Sequence, residues 1–227
     1  MHAMFVARGA RGVLLFGAAC AAAPATVADP CAELFAAMPH EWSERMPAVY
    51  SLGAPATPRL LALLRERPLE PGAPAAVCVL GRLGGDGVAA ALCLLVADRS
   101  PLAVEAALAL GELRATSAVE TLQACVNDPA ADATTRTAAA CALVRCGAKA
   151  AAGPLLRAVL LAGTPAGATI GRDLGLPQRP RWALERYLVQ RMLAQEGAPE
   201  LALALDPDAS WPDLVAVTER ISAWLGN

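Results

Sequence analysis

Aromatic side chains are scarce in this chain of 227 residues: three Phe, four Trp and two Tyr, with none between positions 51 and 181. A long segment without rings has to build its core from small aliphatic side chains, and Ala, Leu and Val carry most of the 56% apolar content. That composition disfavours sheets, which draw on aromatic and β-branched residues, and favours helices. Lysine is nearly missing as well, Lys149 being the only one among 19 basic residues. The formal net charge of −2 excludes a broad electrostatic attraction to nucleic acid.

The chemistry-bearing residues are equally thin. There are two histidines, His2 and His40, and only His40 lies beyond the amino-terminal segment, beside Glu41 and Glu44. Cys141 and Cys146 stand at a close spacing but have no second pair to complete four ligands, so no metal site is expected. "GTPAGATIG" (163–171) lacks the Lys-Ser/Thr ending of a phosphate loop and follows no strand pattern. With no nucleophile, base and charge-holding group in evidence, the chain reads as a non-enzyme with no cofactor and no catalytic residue.

Long apolar runs are missing too. The longest early one, "VLLFGAACAAA" (13–23), is too short for the roughly 20 residues of a membrane-spanning helix. It follows Arg8 and Arg11 and precedes the small-residue segment ending at "TVA" (26–28), which is the grammar of an export signal. Cleavage after Ala28 is expected, giving a periplasmic or extracellular protein; a lipid anchor at Cys20 is the alternative, although Gly17 stands where such signals carry a Leu-type residue. Export would permit disulfides among Cys31, Cys78, Cys93, Cys125, Cys141 and Cys146. Cys78 and Cys93 flank Gly85 almost symmetrically, so a hairpin there suggests a Cys78–Cys93 bridge.

What is abundant is repetition. "VCVLGRLGGDGVAAAL" (77–92), "ALALGELRATSAVETL" (107–122) and "ACALVRCGAKAAAGPL" (140–155) share leucine at their fourth and sixteenth places. Two fainter copies, at 49–64 and 190–205, keep the same frame. The ten matched positions are Leu52, Leu64, Leu80, Leu92, Leu110, Leu122, Leu143, Leu155, Leu193 and Leu205. Each window straddles a turn such as "GGDG" or "RATS" between two stretches with apolar residues three and four apart. The unit is a helix, a tight turn and an antiparallel helix that must stack on its neighbours to bury its apolar face.

"VEAALALGELRATSAVETLQACVNDP" (104–129) resembles a short HEAT repeat of the phycobilin-lyase type, and the likeness extends well over 48–162 and loosely over 181–225. It implies a right-handed all-α solenoid of about four to five helical hairpins, drawn from nine to eleven helices. Val144 and Arg145 depart from the pattern, which has a small, glycine-like corner there. The aromatics gather outside the clear repeats: Phe35, Trp42 and Tyr50 before them, Trp182, Tyr187, Trp211 and Trp224 after them. Bulky rings are suited to closing the exposed ends of such a stack, so aromatic-capped ends are expected. The resulting plan is a signal (1–28), a capping segment (29–47), repeats (48–162), an insertion loop (163–180) and a last repeat with its cap (181–227).

Two surfaces stand out. In such a solenoid the second helices line the concave face, and the outward frame positions there are Ala90 and Leu94, Glu120 and Ala124, Gly153 and Arg157. Leu94 belongs to "VAAALCLLVA" (88–97), a helix that is apolar all round. The other surface is basic: Arg172, Arg179, Arg181, Arg186 and Arg191 cluster about the end of the insertion, a patch suited to an anionic partner. The expected function is an exported, non-catalytic scaffold that binds a protein or peptide on its concave face. A lyase-like or chaperone-like accessory acting on a bound cofactor, and a self-assembling envelope component, are the alternatives.

Overall fold

The computed structural model describes residues 29–162, 165–176, 183–205 and 211–226, and the described residues contain helices and no strand. The segment read as an export signal, with Cys20, therefore lies outside the described residues. Among the described residues there are thirteen α-helices, and ten of them form the five hairpins the leucine frame marks. The pairs are α2 (Trp42–Leu52) with α3 (Ala56–Glu66), α4 (Ala73–Leu83) with α5 (Val88–Ala97), and α6 (Ala103–Glu112) with α7 (Val119–Asn127). They continue with α8 (Ala133–Arg145) and α9 (Lys149–Leu160), then α11 (Ala183–Gln195) and α12 (Pro199–Ala204). With the three remaining helices, α1 (Pro30–Ala36), α10 (Pro165–Asp173) and α13 (Trp211–Leu225), the total of thirteen exceeds the nine to eleven expected. In place of a plain loop over 163–180, α10 occupies half of that segment.

One backbone device closes most of the hairpins. The eighth residue of the windows is Gly84, Arg114, Gly147 and Gly197, and all four have positive φ, the left-handed conformation that ends a helix. In three of them the next amide reaches back to the carbonyl of the matched leucine. Ala115, Ala148 and Ala198 donate to Leu110, Leu143 and Leu193 at 3.1, 2.8 and 3.0 Å. The same leucine thus fills the core with its side chain and ends the helix with its carbonyl. Arg114 adopts φ 49° without being glycine, and its side chain gives a reason: it donates to the Arg145 carbonyl at 3.1 Å and to Glu196 at 2.9 Å.

The first helices form a continuous row, α2–α4–α6–α8–α11, with the second helices α3, α5, α7 and α9 alongside. The row is tight because its facing residues are small. A methyl group on Gly81 would stand 2.7 Å from the Ala109 Cβ and 2.9 Å from its Cα. A methyl on Gly111 would meet the Ala142 Cα at 3.1 Å. Gly81 and Gly111 hold the same place in their windows, so one repeated small residue sets the spacing of successive units. Nine of the ten matched leucines are buried in one core. Leu52 is 36% exposed; it closes α2, at the end of the row, where Val49 is the only buried residue of the helix.

The ends are capped largely as expected. At the amino end Phe35 is buried, Trp42 donates its Nε1 to the Ala37 carbonyl at 3.1 Å, and Arg82 lies over the Tyr50 ring at 5.8 Å. At the other end Lys149 stacks 3.6 Å from the centre of the Trp224 ring. Tyr187 is exposed on α11 and caps nothing; Trp182 and the Trp211 side chain lie outside the described residues. Buried charge also works on helix ends. Arg136, 1% exposed, donates to the Val126 carbonyl at 2.9 Å and the Leu174 carbonyl at 2.8 Å, so the negative ends of α7 and α10 act as its counter-ions.

Gly81→Ala should destabilise the protein by about 1–3 kcal/mol in urea unfolding, because the clash with the Ala109 backbone outweighs the helix propensity gained. Leu110→Ala should cost about 2–5 kcal/mol, and Leu52→Ala should stay within about 0.5 kcal/mol. Equal losses at Leu52 and Leu110 would contradict the frame.

Candidate functional site

The face formed by the second helices is exposed where the leucine frame turns outward. Ala90 and Leu94 on α5, Glu120 and Ala124 on α7 and Arg157 on α9 are all accessible, Leu94 to 63%. Leu94 is therefore not a core residue, although α5 has no polar side chain to mark which side faces water. Its inner stripe is Val88, Leu92 and Val96, all buried. Helix periodicity then puts Ala90 and Leu94 on the opposite side. Between α5 and α7 lies a groove of about 500 Å³ lined by Val96, Ala97, Glu120, Thr121, Ala124 and Cys125. The groove also reaches Arg99 and Asp128, which pair at 2.7 Å.

The third unit differs. Gly153, expected on the accessible row, is buried, because α13 packs against α9. Glu219 of α13 pairs with Arg157 at 2.7 Å. With Lys149 over Trp224 at the other end of α9, the two contacts make α13 antiparallel to α9. Arg157 is exposed but already answered by a carboxylate, so the free part of the face belongs to the units before it.

Of the five arginines of the basic cluster three are described, and two of these, Arg186 and Arg191, point in different directions. Arg179 and Arg181 lie outside the described residues, and Arg172 is exposed at the end of α10. Arg186 is spent on the carboxyl end of α9, donating to the Leu160 and Ala162 carbonyls at 3.0 and 3.4 Å. Arg191 lies five residues on, roughly 140° away around α11, in a crevice against Leu108, Glu112, Cys141 and Arg145 of the first-helix row.

The departure from the repeat at Arg145 has a structural use. Its guanidinium holds Glu112 through two bonds of 2.6 and 3.1 Å, reaches Gln195 at 3.2 Å, and lies 3.2 Å from Glu196. Three first helices are thereby joined where the small-residue contacts end. The hydrogen bond from Arg145 holds the Glu112 carboxyl below its ordinary value of 4.5.

The six described cysteines are all free, which corrects the expected Cys78–Cys93 bridge. The reason is orientation around the hairpin: Cys78 is on the exposed side of α4, under the influence of Glu105, Arg191 and Arg82 from the first-helix row. Cys93 faces Thr121 on α7 instead. Burial pushes the thiols of Cys31, Cys125, Cys141 and Cys146 up, Cys125 to about 11 and Cys141 to about 12. Thiols so protonated are poor nucleophiles. Among the described residues no group of three or more His, Cys, Asp and Glu is placed to hold a metal ion, and no helix is long and apolar enough to cross a membrane.

Against known proteins, one stretch stands out. Residues 102–128 match the family described as the PBS lyase HEAT-like repeat. The chain carries a HEAT-like repeat. The match covers α6, the turn and α7, the unit at the centre of the stack, and the other hairpins follow its frame in a weaker form. No curated protein and no solved structure matches the chain. With the packing of the hairpins, the match shows a helical-repeat fold.

The Glu112–Arg145 pair predicts a pH dependence. A carboxyl whose folded pKa is depressed stabilises the fold above its unfolded value and loses that contribution as pH falls through the folded one. The stability gap between the wild type and Glu112→Gln should therefore be full above about pH 5 and shrink steadily in more acid solution. A gap unchanged from pH 7 to pH 3 would show that the pair contributes nothing through its charge.

Proposed function

We propose that this protein is an exported, non-catalytic scaffold that binds a protein or peptide on the face formed by its second helices. The single observation that supports the reading best is Leu94, a large apolar side chain 63% exposed on α5, an uncharged helix whose last residues, Val96 and Ala97, line the α5–α7 groove. An apolar anchor next to a groove gives a partner the burial that dominates affinity, with polar groups at the rim setting orientation. The surrounding scaffold is stiff, since Leu92 and Leu122 beneath this face are fully buried. The protonated thiols weigh against a cysteine acting on a bound cofactor. Export rests on the amino-terminal pattern of basic, apolar and small residues.

The test is capture of a partner from the envelope fraction of the source cell by the wild type and by Leu94→Glu. The variant should lose the partner while keeping the wild-type circular dichroism and a melting temperature within a few degrees, because Leu94 is a surface residue. Undiminished capture by folded Leu94→Glu would place binding elsewhere. Recovery of a chromophore or other small molecule in stoichiometric amount would favour the accessory-enzyme reading, and recovery of the protein's own copies alone the structural one.

A further inference from the structure

We infer that the free part of the second-helix face takes a basic amphipathic segment of a partner protein; the inference rests on the reading of that face as the working surface. Its chemistry follows from extending the outward frame positions back one unit, to Ala62 and Glu66 on α3. The row across α3, α5 and α7 is then Ala62, Glu66, Ala90, Leu94, Glu120 and Ala124, all exposed. The helices are neighbours in this order. Apolar residues occupy the middle, and the only charges are two carboxylates, one on each side of Leu94.

Neither Glu66 nor Glu120 belongs to any ion pair among the described residues. Two nearby cations are engaged elsewhere, and Arg65 and Arg67, which flank Glu66 in sequence, form no ion pair with it among the described residues. Arg99 is paired with Asp128 at 2.7 Å and Arg157 with Glu219 at 2.7 Å. Arg65 projects about 100° from Glu66 around α3. A neutral apolar segment laid over Leu94 would strip water from both carboxylates and give them nothing in return. An acidic segment would be repelled. A segment with an apolar centre and a basic side chain toward each end buries Leu94 and answers both charges.

The geometry also sets the spacing. Adjacent helices pack about 8–10 Å apart, so α3 to α7 spans about 16–20 Å. At about 1.5 Å per residue, a helix crossing the row covers this distance in roughly 11–13 residues. The partner's basic side chains should therefore stand about three turns apart, with apolar residues on the same face between them.

Two fluorescent synthetic helices of about 16 residues, identical except that Lys at the two flanking positions is replaced by Glu, separate this inference from the broader one. Anisotropy with the full chain at low salt should show the Lys peptide binding at least about tenfold tighter than the Glu peptide, in line with two exposed charge pairs gained and two repulsions avoided. In Glu66→Lys/Glu120→Lys the preference should reverse, and in Leu94→Ser both peptides should weaken. Circular dichroism checks that each variant is folded. Equal affinities, a preference for the Glu peptide, or no binding of either overturns the basic-segment inference. The face itself is judged separately: partner capture lost in Leu94→Glu upholds it even if the peptides fail, and capture retained there removes the basis of both.

Discussion

Close approach of the first helices is the constraint on which the rest of this structure depends. At Gly81 against Ala109, and at Gly111 against Ala142, there is no room for another methyl group. Helices brought this near gain dispersion contacts along their backbones that larger side chains would prevent. The scarcity of aromatics between 51 and 181 then has a physical reason, because a ring could not be accommodated between such helices. Leucine supplies the bulk between the row of first helices and the row of second helices, and alanine and glycine supply the closeness along the first-helix row.

Where the small residues stop, other devices take over. Val144 holds the place of Gly81 and Gly111 in the next unit, and there α8 meets α11 with Arg145 bonded across to Glu112 and Gln195. Arg136 ties the ends of α7 and α10 to α8 from inside the core. At the amino end the frame gives way to rings, and at the carboxyl end α13 locks onto α9 through Lys149–Trp224 and Arg157–Glu219. Each device replaces a missing neighbour. A unit in the middle of a repeat array is held on two sides, whereas a terminal one needs something else to cover the side left open.

The hairpins and their core were legible in the sequence because a period is a strong signal: the same leucine recurs at the same point of each turn. Accessibility of Ala90, Leu94, Glu120 and Ala124 followed from the same frame. Three things could not be read this way. The cysteines flank their turn symmetrically in sequence, but the side a helix presents depends on its rotation, and Cys78 and Cys93 face different neighbours. The arginine cluster was real as a count, but one of its members, Arg186, is engaged by the carbonyls that end α9. Arg157 is accessible as the frame requires and Gly153 is not, because α13, which has no counterpart in the repeat, packs on their unit. Glu66 was within reach of sequence reasoning: continuing the faint 49–64 copy by two residues gives it.

A stack of this kind has a definite stability profile. The middle first helices are gripped from both sides, and the added helices are held from one. A working surface carried on α5 and α7 is thereby supported from beneath by the most rigid part of the molecule, while α13 is the element freest to leave. Native-state hydrogen exchange, read helix by helix on the full chain, tests this most directly. The amides of α6 and α8 should exchange slowest, opening only with global unfolding, and those of α1, α10 and α13 should exchange faster through local opening. Uniform protection across all of these helices, or slowest exchange in α13, would contradict the central role of the Gly81–Ala109 and Gly111–Ala142 contacts.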